Sequence, residues 1–393
     1  MDWSTSADLE AQVRRLWDRG RLLTGADEGG PSFPLALRLR RPDSSAMSER
    51  FDDVRRWIRE LEENSKTRRG FGYDILWAEI DHRQLGRNRI PTGALVPTRE
   101  DALRLLGKQR QADRFARLAA LTLDSCPELR AWIEKKPKTL LDHAEDWEKI
   151  LAVLAWFRAH PRPGVYLRQL DVAGVDTKFI EARKGLLMEL LDIVLPKESI
   201  DASAKRDFEG RYGLLSKPPR VRFRILDREH YIGGLSDITV PASQFAELEP
   251  SVRRVFITEN EINGLAFPYV PDAAVIFGLG YAIERLADVR WLRDRTIHYW
   301  GDIDTHGFAI LDRLRAAFPE ASSLLMDRET LMQHQSLWVQ EETPHLGPLP
   351  RLSADEQDVF EALVADRFGV RVRLEQERVG YGWVTRALET LAS

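Results

Sequence analysis

The sequence predicts a multidomain α/β protein, and three observations support this prediction. The chain has 393 residues, more than one compact core usually holds. Hydrophobic residues make up 43% and charged residues 31%, as in globular proteins with well-formed cores. From about residue 250 onwards, short apolar segments alternate with amphipathic helical segments, which is typical of a parallel sheet flanked by helices.

Composition and charge exclude several classes of protein. The single cysteine, Cys126, cannot form an internal disulfide or build a thiolate zinc site alone. No segment reaches the roughly 20 apolar residues of a membrane helix, and the N-terminal segment lacks the apolar core of a signal peptide. We therefore expect a cytoplasmic protein with no membrane contact. Because the net charge is −4, any nucleic-acid contact must come from local basic patches.

The first 140 residues predict an N-terminal arm with an α+β part followed by helices. Strand-like segments at 73–80 and 87–96 follow an amphipathic helix at 52–63. Residues 99–160 have helical periodicity, including one continuous helix over 101–122.

Residues 141–228 have the outline of a winged-helix domain, in which helices precede an alternating basic strand. The apolar helix at 177–192 has Asp176 as its predicted N-cap. Residues 201–225 carry seven Lys or Arg against three acids. Either this is a basic face in contact with solvent only, or it binds DNA phosphates, and the candidate residues are then Arg211, Lys217, Arg220, Arg222 and Arg224.

Three carboxylates follow two of the predicted C-terminal strands. Glu259 comes directly after the strand at 255–258, and Asp302 and Asp304 follow the strand at 296–300 after one glycine. Because ligands of parallel α/β sheets bind at the carboxyl ends of strands, we expect the three acids to converge. Carboxylate oxygens suit Mg²⁺, which can hold and polarise a phosphate. Each acid alone would also fit an ordinary helix cap, and Asp304 does precede a predicted helix.

Longer strings around these acids resemble two related families. The segments 278–281 and 301–307 resemble the A subunit of topoisomerase VI, which carries its catalytic acids in a Toprim domain. Closer still is the resemblance to the JetD family, the nuclease subunits of Wadjet plasmid-defence systems. The segments that carry it are spread over nearly the whole chain, at 174–181, 207–214, 257–268, 299–311 and 373–378.

The resemblance to JetD implies a fold, a reaction and partners. It implies an arm over 1–140, a winged-helix domain over 141–228 and a Toprim catalytic domain over 229–393, in a homodimer. The implied reaction is cleavage of double-stranded plasmid DNA, in a complex with an SMC-type ATPase motor, a kleisin and an accessory subunit. Carried over by motif, the catalytic and metal-binding acids are Glu259, Asp302 and Asp304, with Mg²⁺ or Mn²⁺ as cofactor.

Three further residues near these acids have weaker support. Glu375 and Glu377 follow a strand-like segment at 370–374 and share one side if that strand continues. Either they complete the metal site, with some preference for Glu377, or they pair with neighbouring arginines. His306 either contacts a phosphate or is hydrogen-bonded at the start of a helix.

The sequence leaves three functions open. The leading one is a metal-dependent endonuclease that hydrolyses DNA with water as the nucleophile. The second is a topoisomerase VI-like enzyme that breaks and rejoins DNA through a tyrosine, for which Tyr166 and Tyr212 are the candidates in the predicted winged-helix region. The third is a non-catalytic DNA-binding scaffold subunit whose acids bind a structural ion.

Overall fold

The computed structural model describes residues 3–25, 29–82 and 86–392, and these form two compact units. The first unit ends at Ser216 and the second begins at Lys217. Throughout the described ranges, every helix is too short or too polar to cross a lipid bilayer.

The first unit begins with helices and a three-stranded antiparallel sheet of order β1-β3-β2. A capping box formed by Thr5 and Asp8 starts the first helix. The strands predicted at 73–80 and 87–96 and the helix predicted at 52–63 are confirmed. In chain order the elements are α1 (Ser6–Asp18), β1 (Leu35–Leu37), α2 (Ser44–Glu49), α3 (Phe51–Glu63), α4 (Lys66–Arg69), β2 (Asp74–His82) and β3 (Gly86–Val96).

The rest of the first unit is helical. Asp176 accepts a hydrogen bond of 2.7 Å from the Phe179 amide, which confirms the predicted N-cap. The continuous helix predicted over 101–122 is wrong, because Gly107 adopts a φ of +64° and ends the first of two helices. The helices are α5 (Arg99–Leu105), α6 (Gln109–Ser125), α7 (Arg130–Lys135), α8 (Pro137–Asp142), α9 (Trp147–Ala159), α10 (Thr177–Ala182), α11 (Lys184–Val194) and α12 (Phe208–Arg211).

The second unit is built on a six-stranded sheet of order β5-β4-β7-β6-β8-β9. The neighbours β7, β6, β8 and β9 are parallel to one another. β4 is antiparallel to both of its neighbours, β5 and β7. The buried strands predicted at 255–258 and 296–300 are confirmed, and a third buried strand occupies 273–277. The sheet consists of β4 (Arg220–Ile225), β5 (Asp237–Pro241), β6 (Arg254–Thr258), β7 (Ala273–Phe277), β8 (Thr296–Trp300) and β9 (Ser322–Ser323).

Helices and one short strand pair complete the second unit. All five residues of β7 are buried, as expected for an inner strand covered on both faces. The two-residue strands β10 (Val339–Gln340) and β11 (Val372–Arg373) pair antiparallel. The helices are α13 (Ala242–Glu247), α14 (Glu261–Ala266), α15 (Thr305–Ala317), α16 (Arg328–Gln333), α17 (Ala354–Val364) and α18 (Tyr381–Ala392).

The strand predicted as the wing of the winged-helix domain belongs to the second unit. β4 pairs with β5 and β7, and its side chains Val221, Phe223 and Ile225 enter the core of the sheet. Its assignment to a domain over 141–228 is therefore wrong, because burial of its apolar face requires the C-terminal sheet. The winged-helix prediction now applies only to the helices of 141–216.

Gly264 marks a close approach between α14 and the sheet. A Cβ atom at this position would lie 2.3 Å from Cγ of the buried Phe277. Such overpacking costs about 1–3 kcal/mol, more than the helix propensity of alanine returns. We expect Gly264→Ala to lower the melting temperature of the second unit by several degrees in a thermal unfolding experiment.

Gly185 in α11 provides the matched control, because a Cβ there would meet no atom within 4 Å. Gly185→Ala should leave the melting temperature unchanged or raise it slightly. Equal melting temperatures for the two variants would contradict the close packing of α14 on Phe277.

Candidate active site

The three predicted acids converge on one edge of the sheet. β6 and β8 are adjacent and parallel, with Thr258 in register with Trp300, so the residues that follow them leave the sheet together. Glu259, Asp302 and Asp304 line one open cleft of about 560 Å³. The convergence expected from the strand ends is therefore what the structure has.

Each aspartate has one oxygen hydrogen-bonded to a backbone amide, and its other oxygen forms an ion pair with Arg373. Asp302 Oδ1 accepts a hydrogen bond of 2.9 Å from the Gln376 amide, and Oδ2 accepts one of 2.5 Å from Arg373 Nη2. Asp304 caps α15, because its Oδ1 accepts a hydrogen bond of 2.7 Å from the Gly307 amide. Its Oδ2 lies 3.0 Å from Arg373 Nε. Asp304 is thus both a helix cap and a wall of the cleft.

Burial and neighbouring charge perturb two of the acids. Burial raises the pKa of Glu259 to about 7, and Asp302 and Asp304 add to the rise, although a 2.5 Å hydrogen bond from the Tyr299 hydroxyl opposes it. Burial also raises the pKa of Asp304 to about 6, with the Gly307 amide opposing and other acids adding. A carboxyl with a pKa near 7 can both accept and donate a proton at neutral pH.

Glu341 is a carboxylate of the cleft that the sequence analysis missed. It is buried and accepts a hydrogen bond of 2.7 Å from the Thr305 hydroxyl. Its charge adds to the rise in the pKa of Asp304. It follows β10 as Glu259 follows β6, but β10 has only two residues. A strand that short has no detectable periodicity, so the sequence offered no signal.

Gln376 joins the ends of the two central strands. Its buried side-chain carbonyl accepts from the Thr258 hydroxyl at 3.1 Å and from the Asn260 amide at 3.0 Å. Its side-chain amide donates to the Trp300 carbonyl. One side chain therefore fixes the residues after β6 and β8 relative to each other, and the sequence analysis did not single it out.

Glu375 and Glu377 do not share one side. The strand ends at Arg373, and Glu375 turns into the cleft, 2.9 Å from Arg378 Nε and 3.7 Å from Arg373 Nη1. Glu377 instead accepts a hydrogen bond of 2.6 Å from the Asn260 side-chain amide. The condition for a common side is not met, because the strand stops before Glu375. Glu375 lines the cleft and pairs with neighbouring arginines, which is the alternative that the sequence left open.

His306 is engaged at both ring nitrogens. Nε2 lies 2.7 Å from the Thr343 carbonyl, which can only accept, and Nδ1 receives the Tyr281 hydroxyl. His306 and Tyr281 both line the cleft. Both ring nitrogens are thus occupied beside the acids, and a phosphate would have to displace one of their partners.

Three of the five basic residues predicted to bind phosphates have partners within the protein. Arg211 makes two hydrogen bonds of 2.8 Å to Asp192 in the first unit. In the second unit, Arg222 makes two bonds to Asp237 at 3.0 and 2.7 Å. Arg224 donates a hydrogen bond of 2.9 Å to the Gly264 carbonyl. The other two candidates, Lys217 and Arg220, are exposed.

The two candidate tyrosines differ in accessibility. Tyr212 is 1% exposed and donates to the Asp192 carboxylate at 2.7 Å. Burial, reinforced by Asp192, holds its pKa well above the usual range, which disfavours a nucleophilic phenolate. Tyr166 is exposed.

The donor set of the cleft fits a hard divalent cation. Glu259, Asp302 and Asp304 supply carboxylate oxygens, the ligand type that Mg²⁺ and Mn²⁺ prefer. Gly301 is part of the cradle, because a Cβ there would lie 2.6 Å from Glu259 Oε1. Asp302 and Asp304 would hold the ion through the Oδ2 atoms that both lie beside Arg373, and Glu259 lines the same cleft.

The raised pKa values predict a stability that falls as pH rises in metal-free solution. The folded values of about 7 for Glu259 and about 6 for Asp304 exceed the ordinary 4.5 and 3.8. Their stabilisation is complete below about pH 4 and is lost as pH rises through the folded values. Glu259→Gln removes the ionisation of one group, so its advantage over wild type should grow from about pH 5 to about pH 8, by at most about 3 kcal/mol.

Thermal unfolding in EDTA across this pH range measures the difference. Glu284→Gln, at a carboxyl whose side chain is 67% exposed, serves as the control and should follow wild type. A difference between Glu259→Gln and wild type that does not change with pH would contradict the raised pKa of Glu259.

Comparison with known families matches both parts of the chain. Residues 6–192 match a family described as "Uncharacterized protein conserved in bacteria N-term (DUF3322)". Residues 213–388, which hold all the acids of the cleft, match the family described as "Wadjet protein JetD, C-terminal". No curated protein matches the chain. With these two adjoining matches, the chain belongs to the family of the Wadjet protein JetD.

Proposed function

We propose that the chain is a divalent-metal-dependent DNA endonuclease that cleaves circular plasmid DNA within the Wadjet system. The observation that carries this proposal is the convergence of Glu259, Asp302 and Asp304 at the carboxyl edge of two adjacent parallel strands. Membership of the JetD family supplies the biological setting. A glutamate after one strand and Asp-x-Asp after its neighbour also support assignment of the second unit as a Toprim domain.

The side chains of the cleft have separable roles in this reaction. A cation held by Asp302 and Asp304 would polarise a bound phosphodiester. Glu259, whose pKa is about 7 without a bound metal, accepts the proton of the attacking water, and the departing sugar oxygen takes a proton from solvent water. One P–O bond forms to the water oxygen while the ester P–O bond breaks. Tyr299 holds Glu259 in position through its hydroxyl.

The proposed partners follow from the family and from the resemblance of the sequence. We propose that the chain works as a homodimer, with an SMC-type ATPase motor, a kleisin and an accessory subunit, on double-stranded DNA. The helices within 141–216 are the proposed winged-helix part. Because Arg211, Arg222 and Arg224 have partners within the protein, Lys217 and Arg220 are the better candidates for phosphate contacts.

Plasmid elimination by cells that carry the complete Wadjet locus tests the proposal. Glu259→Gln and Asp302→Asn should retain plasmid at least about 100-fold better than wild type, because each removes a group from the reaction. The exposed Asp288→Asn is the control and should eliminate plasmid normally. If both site variants, at equal protein levels, eliminate plasmid as wild type does, the acids are not catalytic and the scaffold function is favoured.

Cleavage products distinguish water from a tyrosine as the nucleophile. We expect denatured products to carry no protein and Tyr166→Phe to cleave as wild type does. Tyr212 is disfavoured as the nucleophile because it is buried and hydrogen-bonded to Asp192. Protein that remains attached to DNA ends after denaturation would instead establish the topoisomerase VI-like reaction.

A further inference from the structure

The Arg373 guanidinium contacts carboxylate oxygens of Asp302 and Asp304 that a metal ion would bind. The Oδ1 atoms of Asp302 and Asp304 are already bound by backbone amides, at 2.9 and 2.7 Å. Their Oδ2 atoms lie 2.5 and 3.0 Å from the Arg373 guanidinium. A cation that binds the two Oδ2 atoms therefore meets Arg373 at both of them.

The charge of the cleft explains why a cation is needed there at all. Six carboxylates line it, from Glu259, Asp302, Asp304, Glu341, Glu342 and Glu375. The arginines in its lining are Arg373 and Arg378. Arg378 contacts Glu375, so Arg373 is the guanidinium that lies against both aspartates. Like charges this close repel strongly unless a cation lies between them.

We propose that Arg373 acts as an internal counter-ion that holds the place of the divalent cation and is displaced when the metal binds. This inference rests on the proposed metal site. Metal and guanidinium compete for the same Oδ2 atoms of Asp302 and Asp304. Metal affinity is then the difference between two ionic interactions, and the chain binds its metal more weakly than the carboxylates alone would.

The main-chain position of Arg373 does not depend on its side chain. The next residue, Leu374, exchanges two backbone hydrogen bonds with Ile303, at 2.9 and 3.1 Å. The Arg373 main chain pairs with Val339 in the antiparallel ladder of β10 and β11. A variant that lacks the guanidinium should therefore keep the main-chain pairing around the two aspartates.

Calorimetric titration of the full chain with Mn²⁺, without DNA and at about pH 8, tests the proposal. Arg373→Met removes the competing charge and should bind Mn²⁺ at least about tenfold more tightly than wild type. Arg378→Met is the matched control, because it removes a guanidinium from the same cleft that contacts Glu375 and neither aspartate. Its affinity should stay within about twofold of wild type.

The outcomes separate this inference from the function on which it rests. If Arg373→Met binds Mn²⁺ no more tightly than wild type, the exchange is overturned while the metal site stands. If both arginine variants gain equally, a general field effect replaces direct competition and the exchange is again overturned. If neither wild type nor Arg373→Met binds Mn²⁺, the proposed metal site fails, and the exchange fails with it.

Discussion

Repulsion among carboxylates at one edge of the sheet is the constraint on which the second unit depends. Asp302 and Asp304 lie within the field of Glu259 and Glu341, and burial removes the water that would screen them. The structure offsets this repulsion with hydrogen-bond donors that are held in place beside the carboxylate oxygens. The amides of Gln376 and Gly307 and the Tyr299 hydroxyl each donate to one carboxylate oxygen. The Arg373 guanidinium lies beside one oxygen of each aspartate.

These donors come from segments far apart in the chain, so the site requires the whole unit to fold. Glu259 and Gln376 are separated by more than a hundred residues, yet the Gln376 side chain holds the ends of β6 and β8 together. Glu341 fixes the start of α15 through Thr305, and α15 in turn positions Asp304 as its cap. The hydrogen bonds that position the acids are thus also those that close the sheet edge.

The sequence was sufficient to predict the acids but not their surroundings. β6 and β8 are five-residue buried strands, long enough to recognise, so Glu259 and Asp302 could be placed at their ends. Glu341 follows a two-residue strand that leaves no pattern, and Gln376 lies beyond the strand-like segment at 370–374, where its residue type gave no indication of its role. The strand Arg220–Ile225 was misplaced because alternating apolar and basic residues look alike in a wing and in a mixed sheet. The pairing of Arg211 with Asp192 depends on tertiary structure alone.

The same electrostatics bear on how DNA could reach the cleft. A phosphodiester that approaches six carboxylates is repelled until cations reduce their charge, so a metal would serve admission of the substrate as well as its chemistry. Arg222 and Arg224, two of the basic residues considered for phosphate contacts, hydrogen-bond Asp237 and the Gly264 carbonyl instead. Such a site has little attraction for free DNA. Under the function proposed above, the cleft is better suited to DNA that partner subunits bring to it than to free DNA.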